Sequence, residues 1–361
     1  RLVRCESPSS DLAALAHSAG RVQEVARPLI GAEPDVVDVD GRTHLLWRLG
    51  PEPARVLLLG HHDTVWPLGS LESHPFVVDG DTLRGPGCFD MKAGLVMALH
   101  ALSVVGDIRA LTLLVTGDEE LGSPSSRPLI ETAAQGCEAV LVMEPSGVGG
   151  ALKRQRKGVS RYEVRVQGRA AHAGLEPETG VNAAVELAHQ ILAVGSISDA
   201  AQGTTVTPTV AAAGDSVNTV PAQATLAVDS RAWTEVEQNR VHEAMFALAP
   251  WLDGARVAVT GGPNRPPMEA HSSASLFAHA RQHARALGLE EPSAIAVGGA
   301  SDGNFTAGMG VPTLDGLGAV GGGAHADDEH VLVDELANRT AVLASLIADL
   351  TGSQLDLGRH R

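Results

Sequence analysis

Short apolar runs alternate with polar turns through the first part of the chain, and three of them end in residues that ionise. Residues 55–59 lead into Gly60-His61-His62-Asp63-Thr64-Val65, residues 111–115 into Thr116-Gly117-Asp118-Glu119-Glu120, and residues 139–143 into Glu144-Pro145. Runs of this length bounded by turn residues read as buried strands. The stretch from Thr82 to Phe89 leads likewise into Asp90, at the start of a helical pattern. Helical spacing at 91–105 and 125–135 puts helices between the strands, so residues 44–150 predict a mostly parallel, helix-covered sheet. Residues 11–27 read as an amphipathic helix capped by Asp11.

The pattern changes at Ser160. Strand 160–167, helix 180–194, strands 204–212 and 222–230, helix 234–248 and strand 255–260 follow one another. That β-α-β-β-α-β order is the ferredoxin-like unit. Pro263-Asn264-Arg265-Pro266-Pro267 makes a stiff, turn-rich junction at its exit. Beyond it come a helix near 273–287, a strand near 294–297, a glycine-rich stretch and an amphipathic helix at 332–350. The expected fold is α/β. A domain of residues 1–158 and 267–361 is interrupted by an inserted α+β domain of residues 159–266, and its return brings His325 to the same sheet edge.

Length and charge narrow the function. With 361 residues, 44% of them hydrophobic, the chain can bury two cores. No apolar run approaches the ~18 residues that a membrane span needs. A formal charge of −16 argues against nucleic-acid binding, which requires a basic face. Cys5, Cys88 and Cys137 have no paired spacing, so no disulfide framework is expected and a reducing, cytoplasmic location is. The chain opens at Arg1 inside what reads as a helix, so residues are expected upstream and a signal peptide among them is left open.

Imidazoles and carboxylates gathered at the carboxyl ends of parallel strands describe a divalent metal site. His61, Asp90, Glu120, Glu144 and His325 are too many ligands for one catalytic zinc and suit two, provided one carboxylate bridges. Two ions about 3.5–4 Å apart can clamp a hydroxide and polarise a carbonyl. Asp90, between glycine-containing turns and a helix start, is the expected bridge. Asp63, two residues after His61, is placed to accept the imidazole N–H and fix its tautomer. Neighbours on an extended segment face opposite ways, which predicts Glu120 as ligand and Glu119 as general base.

These residues resemble the co-catalytic zinc peptidases and deacylases that include glutamate carboxypeptidase, aminoacylase and succinyl-diaminopimelate desuccinylase. The resemblance lies in Gly60–Val65, in Gly85-Pro86-Gly87-Cys88-Phe89-Asp90-Met91-Lys92, in Asp118-Glu119-Glu120-Leu121-Gly122-Ser123, in Met143-Glu144-Pro145 and in His325. It spans nearly the whole chain in order, with Ala93 a small departure where many relatives carry glycine. It implies two Zn²⁺ per protomer (Co²⁺ or Mn²⁺ as substitutes) and a homodimer formed through residues 159–266. It also implies that His172, in Ala171-His172-Ala173-Gly174, reaches the partner protomer's site and steadies the oxyanion. Asn218, Arg265 and the loop Gly298-Gly299-Ala300-Ser301-Asp302 would grip the α-carboxylate of a small peptide or N-acyl amino acid. The implied activity is hydrolysis of an amide bond next to a free α-carboxylate, as in glutamate carboxypeptidase, with N-acyl-amino-acid deacylation as the alternative.

Two other patterns compete. Gly299-Ala300-Ser301-Asp302-Gly303 spells GxSxG, with Asp315 and His325 following in the order of a serine hydrolase that would use Ser301 as nucleophile. That reading leaves the other acidic and histidine strand ends unexplained. Gly316 to Gly321 spells GxGxxG but opens no helix, and reads as a flexible loop that delivers His325. His44, His62 and His74 read as ordinary satisfied polar residues.

Overall fold

The apolar run after Ala54 forms a strand, Val56–His61, buried along its whole length. In the computed structural model, which describes residues 1–51 and 53–355, its alternate side chains reach two different cores. Val56 and Leu58 pack with Leu99, Leu113 and Leu141. Leu57 and Leu59 pack with Leu114, Ile130 and Val140. A strand covered on both faces needs no polar alternation, hence its continuous apolar sequence.

We number β1 (Asp35–Val39), β2 (Arg42–Leu49), β3 (Val56–His61), β4 (Leu111–Thr116) and β5 (Ala139–Val142) along the chain. They form one sheet in the order β1-β2-β4-β3-β5, completed by Thr313–Leu314. From β4 across β3 and β5 to Thr313–Leu314 the pairing is parallel, while β1 and β2 add an antiparallel edge. The parallel part carries β3, β4 and β5 to one edge, where His61, Glu119, Glu120 and Glu144 emerge. Helices α1 (Leu12–Ile30), α2 (Ala93–Val104) and Val333–Thr351 supply one core, and α3 (Arg127–Ala134) the other.

Several sequence boundaries move. Helix α1 runs through Pro28, past its expected end at 27. A proline in the final turn forfeits one amide bond there, and Gly31 N–H still closes the helix on the Arg27 carbonyl at 3.0 Å. The chain start is not helical as expected. Residues 7–9 instead pair with the 62–64 segment, with Thr64 N–H on the Ser7 carbonyl (2.8 Å) and Ser9 N–H on the Thr64 carbonyl (3.2 Å). The glycine-rich stretch is also not a flexible loop. Residues 313–320 are buried, Gly318 N–H bonds the Glu144 carbonyl at 2.8 Å, and Arg339 donates to the carbonyls of Gly316 and Gly318. A side chain on Gly318 would place its Cβ 2.3 Å from the Met143 oxygen, so glycine here is a packing requirement.

The chain divides into two units, one built from Arg1–Gln155, Glu269–Val297 and the chain from Ser301 onward, the other from Arg156–Met268 with Gly298–Ala300. Positions 52 and 356–361, which the expected first-domain range includes, lie outside the described residues. In the second unit the strands Gly158–Gln167, Thr205–Ala213, Gln223–Ala232 and Arg256–Arg265 form one antiparallel sheet with Gly158–Gln167 between Gln223–Ala232 and Arg256–Arg265. Helices Ala183–Ser196 and Glu235–Phe246 complete the β-α-β-β-α-β order, and Tyr162, Val164, Val166, Leu187, Val194, Val241 and Met245 share its core. The unit begins at Arg156 rather than 159 because Arg156 and Met268 exchange two backbone hydrogen bonds of 3.0 Å. It claims Gly298–Ala300, expected in the first domain, through Arg156, whose Nη1 donates to the Gly299 carbonyl at 3.0 Å. The last strand extends to Arg265, so Pro263 lies inside it rather than in a turn; an edge strand tolerates the missing donor.

His44 and His62 are buried beneath the first sheet's functional edge. His44 Nδ1 accepts Gly117 N–H at 3.1 Å, and His62 Nε2 donates to the Thr43 carbonyl at 2.9 Å. His74 Nδ1 shares a 2.8 Å bond with Ser73 Oγ. Burial lowers His44 and pushes His62 down to about 4. A folded-state pKa below the unfolded one costs stability as pH falls from about 6.5 toward 4, because only the unfolded chain takes the proton. For His62 that window is worth about 3 kcal/mol. Urea unfolding midpoints should therefore drop less between pH 7 and 4.5 in His62→Gln, which keeps the donor to Thr43, than in wild type. Equal drops would contradict the assignment.

Candidate metal centre

At the edge where β3, β4 and β5 end, two histidines face a shared carboxylate. His61 Nε2 lies 3.4 Å from Asp90 Oδ1 and 3.5 Å from Glu144 Oε1. His325 Nε2 lies 3.4 Å from Asp90 Oδ2 and 3.3 Å from Glu120 Oε2. Asp90 thus turns one oxygen toward each imidazole. Ligand atoms of His61, Asp90 and Glu120 lie within 4.8 Å of one another, and so do those of His61, Glu119 and Glu144.

Glu119 and Glu120 do not sit on an extended segment. They begin a 3-10 turn, Glu119–Leu121, and both reach the cluster, Glu120 with His61 and Asp90 and Glu119 with His61 and Glu144, so only the extended geometry expected of this pair is corrected. The turn is held from below. Asp118, fully buried, accepts from the backbone and hydroxyl of Ser125 (2.7 and 2.6 Å) and from Ser126. Asp63, also fully buried, accepts Glu119 N–H and Glu120 N–H, each at 3.2 Å, and Ser9 Oγ–H at 2.7 Å. Its carboxylate lies 3.3 Å from His61 Nδ1, but its own backbone carbonyl is nearer, at 3.0 Å. Asp63 therefore orients the imidazole and the glutamate turn together, a wider role than the tautomer lock expected of it.

Asp90 arrives through a turn that Gly87 makes possible. Gly87 has φ +67°, and a Cβ there would lie 2.4 Å from Thr64 Cγ2. The Asp90–Met91 peptide is cis. His325 itself holds φ +63°, a left-handed conformation unusual outside glycine. Such a residue persists only where its surroundings fix it, as at a ligand site.

The electrostatics call for cations. Asp90, Glu119, Glu120 and Glu144 bring four carboxylates together, and the nearby ammonium of Lys153 stands 3.8 Å from Glu144. Burial alone would lower His61, yet the carboxylates of Asp63, Asp90 and Glu144 outweigh it and raise its pKa well above 6.5. Contacts with Asp90 and Glu120 push His325 up to about 10, and burial raises Glu120. His61 Nε2, Asp90 Oδ1 and Glu120 Oε1 are buried without a hydrogen-bond partner. Buried polar atoms are rarely left unpaired, and nitrogen with carboxylate oxygen is the donor set that divalent zinc takes. The residues fit a metal.

The sequence matches the pattern described as Peptidase family M20/M25/M40 over residues 57–349. The chain belongs to the M20 peptidase family. It is 35% identical over 312 residues to carboxypeptidase G2 of Pseudomonas sp. (strain RS-16), covering 82% of this chain and 74% of that protein. Among solved structures, a tripeptidase of Staphylococcus aureus superposes with a TM-score of 0.72 at 19% identity, covering 97% of this chain and 96% of the other. An M20 metallo-carboxypeptidase from Sulfolobus solfataricus does so with 0.72 at 16% identity and 97% coverage of each. These two show the fold. The M20 chain is a metal-dependent peptidase-type hydrolase.

Five expected substrate or catalytic positions of the M20 chain are carried by segments other than those that supply this cluster. His172, Asn218, Arg265 and Gly299 belong to the second unit. There His172 pairs with Thr219, and Ala173 N–H bonds the Asn218 carbonyl at 2.9 Å, so a small ladder brings His172 and Asn218 side by side. His172 is exposed, with Nδ1 accepting Gly174 N–H at 3.1 Å. Arg265 is buried at the end of its strand, where its carbonyl accepts from Gln238. Ser301 lies in the first unit and is corrected on both expected counts. It is fully buried and gives its hydroxyl proton to Asp315 at 2.6 Å, while His325 faces Asp90 and Glu120. No triad forms, and no surface is left for a substrate. In the opposite direction, the sequence reading missed Asp118, whose Ser125-Ser126 partners are an ordinary turn signal, and Glu329.

Proposed function

We propose that this M20 enzyme is a dinuclear zinc hydrolase that removes a carboxyl-terminal residue, glutamate first among candidates, by cleaving the amide bond beside its free α-carboxylate. The observation that carries the reading is Asp90, whose two oxygens face His61 and His325 separately. His61 and Glu144 would hold one ion, His325 and Glu120 the other, with Asp90 shared. When bound, the ions supply Lewis acidity to the scissile carbonyl and lower the pKa of water.

The remaining carboxylate, Glu119, is buried, and five other residues suffice as ligands. Its role is to take a proton from water on one carboxylate oxygen and hand it to the leaving amine. Asp63 holds Glu119 by its backbone amide, keeping the base in place. Arg265 offers a guanidinium fork for the α-carboxylate, aided by Asn218 and Gly299. His172, exposed on the second unit, suits a role in a partner protomer's site, with the dimer formed through residues 159–266. The similarity to carboxypeptidase G2 supports carboxyl-terminal cleavage, and the preference for glutamate follows from the resemblance of the Gly60–Val65 and Asp118–Ser123 motifs to those of glutamate carboxypeptidase.

The test is metal content per protomer, with hydrolysis of carboxyl-terminal glutamate peptides and an N-acyl amino acid panel before and after chelation. Close to two zincs, with activity lost to chelator and restored by zinc, is expected. Faster turnover of N-acyl amino acids would move the reading to a deacylase. Activity that survives chelation and falls to a serine-directed phosphonylating reagent would overturn it.

A further inference from the structure

Glu329 lies in the acidic run after His325, where a solvated side chain would be ordinary, yet it is only 3% exposed. Each of its oxygens accepts two hydrogen bonds. Oε1 takes Phe89 N–H at 2.9 Å and Asp90 N–H at 3.0 Å. Oε2 takes Gly87 N–H at 2.9 Å and the Trp66 indole N–H at 2.7 Å. Its own amide bonds the Ala326 carbonyl at 3.0 Å, closing the turn that follows His325. One carboxylate thereby joins three separate segments: 61–66, which carries His61 and Asp63; 85–90, which carries Asp90; and 325–329, which carries His325.

We propose that Glu329 is a positioning residue for the metal centre, fixing the three segments so that Asp90 turns one oxygen to each histidine. The proposal rests on the reading of this cluster as a metal centre. The chemistry requires a carboxylate. All four outside partners are N–H donors, and an ionised carboxylate is acceptor-only with room for about four bonds. Glutamine is isosteric, but its NH₂ would confront either the Phe89 and Asp90 amides or the Gly87 amide and the Trp66 indole. Aspartate keeps the charge and shortens the reach by one methylene. A carboxylate that merely supported the fold would alter melting temperature without altering the affinity of folded protein for metal. One that orients ligands alters both, and loss of such support typically costs 10–100-fold in metal affinity.

The experiment measures zinc affinity of full-length wild type, Glu329→Gln and Glu329→Asp by competition with a chromophoric chelator at neutral pH. Melting temperatures of the metal-free proteins and the division between kcat and KM accompany it. Glu329→Gln should bind zinc roughly 10–100-fold more weakly, with kcat reduced and KM unchanged, and Glu329→Asp should fall between it and wild type. Wild-type affinity in a folded Glu329→Gln overturns the proposal, whatever its melting temperature. If that variant does not accumulate folded, Glu329→Asp decides in its place, and wild-type affinity there overturns it equally. Wild type that binds no zinc would refute the metal-centre reading itself, a result distinct from either.

Discussion

Replacing Glu119 with glutamine should lower kcat by about three orders of magnitude and leave the metal content as in wild type. The expectation follows from counting donors. His61, Glu144, His325, Glu120 and Asp90 provide paired contacts around the two imidazoles, and Glu119 reaches the same space without being needed to complete either set. Glutamine matches the shape of glutamate and keeps an oxygen, but it cannot carry a proton. The backbone amide of residue 119 stays on Asp63, so the side chain should hold its place. KM should stay within a few-fold of wild type, since substrate binding does not use the proton. The metal-free variant should also melt higher, because one of four crowded carboxylates has lost its charge. Metal lost in step with activity would make Glu119 a ligand. Unchanged kcat would send the search for the base elsewhere.

The strands and the side chains that gather at their ends were legible because periodicity and chemistry coincide there. Val56–His61 is buried on two faces and ends in an imidazole, and no competing reading explains both. What stayed hidden depends on partners far apart in sequence. Glu329 meets Gly87, Phe89 and Asp90 across roughly 240 positions, and within its own segment it is one more acid beside Asp327 and Asp328. Ser301 fits a nucleophile motif in sequence but spends its hydroxyl on Asp315, which spacing alone does not reveal. The alternation argument does not carry the split between Glu119 and Glu120, because a 3-10 turn, not a strand, holds them. The separate assignment of base and ligand therefore rests on the contacts of His325 with Glu120, which an alternation rule does not supply.

The substitution with the widest reach is Asp90→Asn. It should reduce bound zinc from about two per protomer to one or fewer and depress kcat by at least about a thousandfold. Asp90 turns its two oxygens to different histidines, at 3.4 Å in both cases. An asparagine offers a single acceptor. Whichever way the amide turns, an NH₂ group meets the other side, where it repels a cation and cannot coordinate. The effect should differ in kind from that of outer ligands. His325→Ala removes a donor from one side only, and Glu144→Gln from the other, so each should release one ion while the second is retained. The backbone amide of residue 90 remains bonded to Glu329 in Asp90→Asn, so the turn itself is preserved and the loss reports on the side chain. Metal analysis after dialysis, run alongside the two single-side variants, separates a shared ligand from an independent one. Two zincs retained by Asp90→Asn would mean that the ions are held without a bridge, and the pairing of His61 with His325 through one carboxylate would then be a feature of the protein alone.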